Sequence, residues 1–230
     1  MKYTIPGGFL LAVEGIDGVG KSAQVQAVSR ILQGRNIDCV VTREPTHGTW
    51  GKLLRDSASK GRLSPAEELH AFLEDRKEHV RDLIRPSLEA GKVVITDRYY
   101  FSTVAYQGAR GFDPVELLRM NEEIAIEPHL LVLIDLDPES SLARIGTRDG
   151  MANHFETIAQ LARSREIFLS LTKPYLFRVD GLGRPDDIRD QILLAFLEKA
   201  TALVMENATL APHERLNTIL RLHGGSPVEA

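Results

Sequence analysis

The stretch Glu14–Ser22, EGIDGVGKS, decides the fold; it follows the apolar run FLLAV at positions 9–13. Gly15, Gly20, Lys21 and Ser22 satisfy the spacing G-x-x-x-x-G-K-[ST], with Ile16, Asp17, Gly18 and Val19 filling the interval. In such a loop the glycines let successive backbone N–H groups turn inward as a nest for an anion. A helical pattern, AQVQAVSRIL at positions 23–32, comes next. The free N–H groups at its start add to the attraction for phosphate. Lys21 is placed to reach the β- and γ-phosphates of a nucleotide, and the Ser22 hydroxyl to ligate Mg²⁺. Ala23 stands where many such loops carry a second hydroxyl.

Working outward, five apolar runs read as strands: FLLAVE (9–14), DCVVTR (38–43), KVVITD (92–97), HLLVLIDL (129–136) and YLFRVD (175–180). Amphipathic stretches separate them. Continuous apolar strands alternating with helices predict an α/β fold with a five-stranded parallel sheet covered on both faces. Ligands in such sheets lie beyond the carboxyl ends of the strands. The runs at 92–97 and 129–136 carry Asp97 and Asp135 at their carboxyl ends, and either could supply the carboxylate that holds Mg²⁺. Arg98 follows the first and suits phosphate bidentately. Spacing alone leaves the choice open, because Asp135 could equally cap the next turn, as Asp137 does before Pro138.

SPAE at 64–67 predicts a helix start with an N-cap serine, a proline at the first position and a capping-box glutamate, and Gly91 predicts its end. Leu69, Phe72, Leu73, Val80, Leu83 and Ile84 follow helical spacing, and Arg76 falls among them. An inward guanidinium needs an acceptor. Either an internal ion pair or a ligand cleft would provide one. RIGTRDGMANHFE, 144–156, is polar and carries Gly146 and Gly150, so it reads as a mobile flap. Arg144 and Arg148 on it are either solvated charges or cations that close over a phosphoryl group in flight. His154 has no second metal ligand at useful spacing.

The chain has 230 residues and a net charge of −4, with both signs scattered along it. That composition gives no footprint for a nucleic-acid polymer. The single cysteine, Cys39, excludes an internal disulfide and points to a reducing compartment, the cytoplasm. MKYTIPGG is too short and polar for a signal peptide, and no apolar run approaches membrane-spanning length.

Together VEGIDGVGKS, TREP, FLEDR, TDRYYFSTVAYQG and the arginine-bearing flap resemble thymidylate kinases, the nucleoside-monophosphate kinases that phosphorylate dTMP; the resemblance runs from about Phe9 to Asp180. It implies a P-loop NTPase fold with an arginine-bearing lid at about 144–156. The kinase domain would span residues 1–200, and a partly helical C-terminal extension would span 201–230. The implied substrates are ATP and dTMP, with Mg²⁺ as cofactor, in a homodimer packed through helices. The resemblance also implies roles for matching residues. Asp17 binds the sugar 3′-hydroxyl and helps place the acceptor phosphate, Arg98 grips that phosphate, and Asp97 assists the Mg²⁺ site. Phe72 stacks on thymine and Arg76 hydrogen-bonds its edge. Thr103, Tyr106 and Gln107 pack beside sugar and base, and Arg43 lines the acceptor site. Some members carry a catalytic arginine in the phosphate loop, where this chain has Gly18; Arg148 and Arg144 then inherit the task, Arg148 foremost.

The chain departs from the family pattern in places. REPGGT reads REPTHGT here, Arg43–Thr49, and the flap reads Asn153-His154 before Phe155-Glu156. Two further readings stay in view: a related kinase acting on another monophosphate, and a catalytically weak nucleotide-binding regulator. A GTPase would need a guanine-reading N-K-x-D motif, which the sequence lacks.

Overall fold

The computed structural model describes residues 2–61, 63–149 and 154–226, with side chains apart from those at 58–60, 146–149 and 154–157. Strand β1, Phe9–Glu14, is buried at all six positions, and β3, Val93–Asp97, at all five. Strand β4, Leu130–Asp135, is buried as far as Ile134. β2, Cys39–Arg43, and β5, Leu176–Asp180, are partly covered edges. The order is β2-β3-β1-β4-β5, and every pairing is parallel. The chain thus leaves β1 for the edge, returns beside it as β3, and crosses to its other side as β4. This reversal is the switch point where open α/β sheets bind ligands. Register places Val13 opposite Asp97, so the carboxyl ends of β1 and β3 lie side by side there.

Helix α1, Lys21–Gly34, buries Val25, Val28 and Leu32 at helical spacing. Helix α2 spans Thr49–Lys60 and α3 spans Pro65–His79. The capping box at the start of α3 is formed: Ser64 Oγ accepts the Glu67 N–H at 3.3 Å, and Glu67 Oε2 accepts the Ser64 N–H at 2.9 Å. A π-helical turn, Val80–Ile84, then leads into α4, Arg85–Glu89, which carries Pro86. Proline lacks an N–H and its ring clashes with the carbonyl four residues back in a regular helix. The wider turn accommodates it. The helix read from sequence as one piece is therefore three segments, ended by Gly91 at φ 73°.

Helices α5 (Tyr100–Gly108), α6 (Pro114–Glu122), α7 (Pro138–Asp149), α8 (His154–Ser170), α9 (Pro185–Glu206) and α10 (Pro212–Leu222) complete the chain. Much of the expected flap is helical. α7 runs through Arg144 and Arg148, because Leu142 and Ile145 give it an apolar face against the core. Residues 150–153 and the side chains of Arg148 and His154 lie outside the described residues. α9 runs through residue 200 without a break. α10 starts at Pro212 and packs on α9. Arg35 Nη1 donates to the Leu222 carbonyl at 2.8 Å, and Arg221 sits 4.2 Å above the Tyr3 ring. Among the described residues no helix is long and apolar enough to cross a membrane.

Candidate active site

The loop between β1 and α1 is built mainly from backbone. Ile16 and Val19 turn their side chains into the core, which leaves main-chain groups to face the cleft. Gly20, at φ 94°, precedes α1 with no side-chain cap and with open space where a Cβ would stand. The first N–H groups of α1 are thus left for an anion. Gly18 is different. Its φ is 82°, and a Cβ there would lie 2.5 Å from the Ser141 carbonyl of α7. The Ser141 hydroxyl also donates to the Asp17 carbonyl, so α7 sits directly on the loop. An arginine at position 18 would have to displace that helix.

Lys21 is buried in this loop. Its ammonium donates to the carbonyls of Gly15 at 3.0 Å and Ile16 at 2.7 Å. Burial, reinforced by the nearby charge of Arg98, lowers its pKa to about 7 against the pull of Asp17, Glu14 and Asp97. Ser22 Oγ donates to Asp97 Oδ2. The other candidate carboxylate is engaged elsewhere: Arg165 donates to Asp135 through Nε at 2.7 Å and Nη2 at 2.9 Å. The hydroxyl and carboxylate at the mouth of the loop are therefore those of Ser22 and Asp97. They supply hard oxygen donors of the kind Mg²⁺ prefers. A cavity of about 510 Å³ opens over them, lined by Gly18, Gly20, Lys21, Arg43, Arg98 and Arg144. Arg144 Nη2 donates to the Gly181 carbonyl, just beyond β5, at 2.9 Å.

A second cavity, about 210 Å³, adjoins the first and shares Asp17 and Arg98 with it. Phe72, Arg76, Thr103, Tyr106 and Gln107 line it. Arg43 does not; it borders the larger cavity and a further one of about 520 Å³ beside Thr42 and His79. Arg98 donates to Asp17 Oδ1, and its guanidinium lies 5.3 Å over the Tyr106 ring. The Tyr106 hydroxyl donates to Asp17 Oδ2 at 3.3 Å. Burial tends to raise the pKa of Asp17, but the charges of Arg98 and Lys21 outweigh it and hold the carboxyl below its ordinary value.

Arg76 is both things the sequence allowed. It lines the smaller cavity, and it is 1% exposed with an ion pair to Glu44. Its Nε donates to Glu44 Oε2 at 3.1 Å and its Nη2 at 2.5 Å, with a further bond to Thr103 Oγ1 at 3.2 Å; Nη1 donates to Asn121 Oδ1. His79 Nδ1 shares a hydrogen bond of 2.9 Å with Glu44 Oε1, and its Nε2 one of 2.8 Å with Thr42 Oγ1. Burial would raise the pKa of Glu44, yet Arg76 and His79 bring it below the ordinary carboxylate value.

Sequence reading missed Glu44, Asn121, His79, Ser102 and Glu14 as parts of the site. Only strand-end position marked Glu44 and Glu14, since their partners lie far along the chain. The unusual Thr46 also finds a structural partner. Its N–H and hydroxyl donate to Asp75 at 2.8 and 2.6 Å, which anchors the loop after β2.

A phosphate nest at the switch point, with a lysine and a hydroxyl–carboxylate pair at its mouth, defines a P-loop phosphotransferase. The adjoining pocket, lined by the rings of Phe72, Tyr99 and Tyr106 and by Arg76, Arg98 and Arg110, narrows the class to one acting on a small phosphorylated acceptor. The chain matches the family Thymidylate kinase over residues 13–192. It is 44% identical over 202 residues to the thymidylate kinase of Xylella fastidiosa strain M12, covering 88% of this chain and 89% of that protein. It is 45% identical over 186 residues to that of Xanthomonas campestris pv. campestris strain B100, covering 81% and 82%. The Akkermansia muciniphila thymidylate kinase is 44% identical over 185 residues, covering 80% and 89%. The chain belongs to the thymidylate kinase family.

Proposed function

We propose that the protein transfers the γ-phosphoryl group of ATP to the phosphate of dTMP, giving dTDP and ADP. One observation carries the reading beyond family membership: a donor cavity over the phosphate loop meets a smaller, aromatic-lined cavity at Asp17 and Arg98. The acceptor phosphate is already an anion at neutral pH, so the reaction needs positioning and charge neutralisation more than a general base. The loop N–H groups and Lys21 hold the donor phosphates. Arg98 grips the acceptor phosphate, and Asp17 orients the sugar. Phe72 stacks on the base while Arg76, fixed by Glu44, hydrogen-bonds its edge. Ser22 and Asp97 would hold Mg²⁺, which when bound offsets charge on the phosphates. Arg144 and Arg148, on α7 above the loop, are the candidate cations for the group in transfer. The protein would act as a homodimer in the cytoplasm.

ADP release with Mg-ATP, measured against dTMP, dCMP, AMP, GMP and UMP, tests the reading. The expected result is turnover with dTMP at least ~10²-fold faster than with the others, since a site built for one hydrogen-bonding pattern leaves polar groups unpaired with the wrong base. Faster turnover with another monophosphate, or nucleotide binding without turnover, would refute it.

A further inference from the structure

Arg98 has an unusual backbone. Its φ of 70° lies in the left-handed region that residues with a Cβ rarely adopt. Local bonds hold it there: its N–H donates to the Val13 carbonyl at 3.0 Å, and its own carbonyl accepts from Thr96 Oγ1 at 2.6 Å. The helix that follows, α5, starts with no capping side chain of its own. Its orphaned donors are met from another element. Glu14 at the end of β1, with no solvent exposure, accepts the Tyr99 N–H at 2.8 Å and the Ser102 N–H at 2.9 Å through Oε1. Its second oxygen accepts the Ser102 hydroxyl at 2.6 Å. Ser102 Oγ in turn accepts from Arg98 Nη1 at 3.0 Å. One buried carboxylate therefore caps α5 and reaches the guanidinium through a single hydroxyl. The residue after that carboxylate is Gly15, the first of the phosphate loop.

We infer that Glu14, acting through Ser102, is a positioning residue for Arg98, fixing the guanidinium on the acceptor phosphate and tying it to the phosphate loop. The inference rests on the reading of Arg98 given above. The hydroxyl is oriented by its own bond: with its proton given to Glu14, its lone pairs face Arg98. Asp17 holds the other arm of the guanidinium, Nη2, so Arg98 is clamped between the two ends of the loop's first turn. The consequence is specific to phosphate. Loosening Arg98 should lower affinity for the phosphate of dTMP and leave the base and sugar contacts intact.

Calorimetric titration with dTMP and with thymidine, which lacks the phosphate, separates these effects. Ser102→Ala should weaken dTMP at least ~10-fold, the scale of one charge-assisted hydrogen bond, and leave thymidine within about twofold. Ser102→Thr keeps the hydroxyl and should restore dTMP binding. Glu14→Gln should reproduce the selective loss, because its amide puts a donor where the hydroxyl proton is received. Should Glu14→Gln fail to fold, the two Ser102 variants decide. The inference falls if Ser102→Ala binds dTMP like the wild type while Arg98→Ala does not. It falls as well if Ser102→Ala weakens thymidine and dTMP equally. If Arg98→Ala itself keeps the wild-type preference for dTMP over thymidine, the reading of Arg98 is wrong and the inference goes with it.

Discussion

The two ends of the cleft are built from different materials. At the donor end the work falls to backbone N–H groups and one lysine, and the charge of Lys21 is poorly compensated: burial and Arg98 depress its pKa to about 7. At the acceptor end the charges are compensated before any ligand arrives. Arg76 is paired with Glu44, which His79 also braces, and Arg98 is held by Asp17 and Ser102. The donor end is thus built to attract a polyanion, whereas the acceptor end is a preassembled mould. Flexible phosphates need attraction. A flat base needs shape and one correctly aimed hydrogen bond.

The contrast can be broken first at Glu44. Glu44→Ala leaves Arg76 buried without its carboxylate, a change that costs ~3–5 kcal/mol when one partner of a buried pair is removed. Urea denaturation should register that loss, and a variant as stable as wild type would mean that the acceptor end is not preassembled. The pair also carries a pH signature. The folded-state pKa of Glu44 lies below its ordinary value of 4.5, so its contribution is complete above that value. It disappears as pH falls through the folded-state pKa.

At the donor end the matching substitution should act on chemistry instead. Lys21→Ala should lower kcat by at least ~10²-fold, since the lysine neutralises charge at the transferring group. Steady-state rates within a few-fold of wild type would remove Lys21 from the mechanism. A smaller effect sharpens the boundary between the two ends. Phe72→Ala should weaken dTMP binding by ~1–3 kcal/mol through lost stacking and burial, with ATP affinity nearly unchanged. Titrations showing the reverse would put the base elsewhere.

The same contrast explains what could be read from sequence. The donor loop is contiguous, so its nine residues declare both the anion nest and the switch point beside it. The five strands declare themselves because a sheet covered on both faces must be continuously apolar. The acceptor end depends on partners far apart in the chain: Arg76 with Glu44, 32 residues away, and Ser102 with Glu14, 88 residues away. No local pattern reports such pairs, so Arg76 was legible as a puzzle and Glu44 only as a strand-end position. Spacing alone leaves Asp97 and Asp135 open; Arg98 and the family resemblance favour Asp97, and Arg165 occupies Asp135. The π-helical turn ahead of Pro86 leaves no mark in the sequence pattern, because the apolar spacing on either side still reads as one helix.

The stability of Lys21→Ala without nucleotide tests the contrast most directly. Between about 7 and the ordinary lysine value of 10.5, the unfolded chain binds more protons at this position than the folded one. The lysine therefore makes stability rise with pH across that window and detracts most below it. Urea denaturation of wild type and Lys21→Ala at pH 6.5 should show the variant equally or more stable, and the difference should shrink as pH rises to 9. A variant less stable than wild type at pH 6.5 by more than ~1 kcal/mol, a typical destabilising change, would show that the loop carbonyls satisfy Lys21.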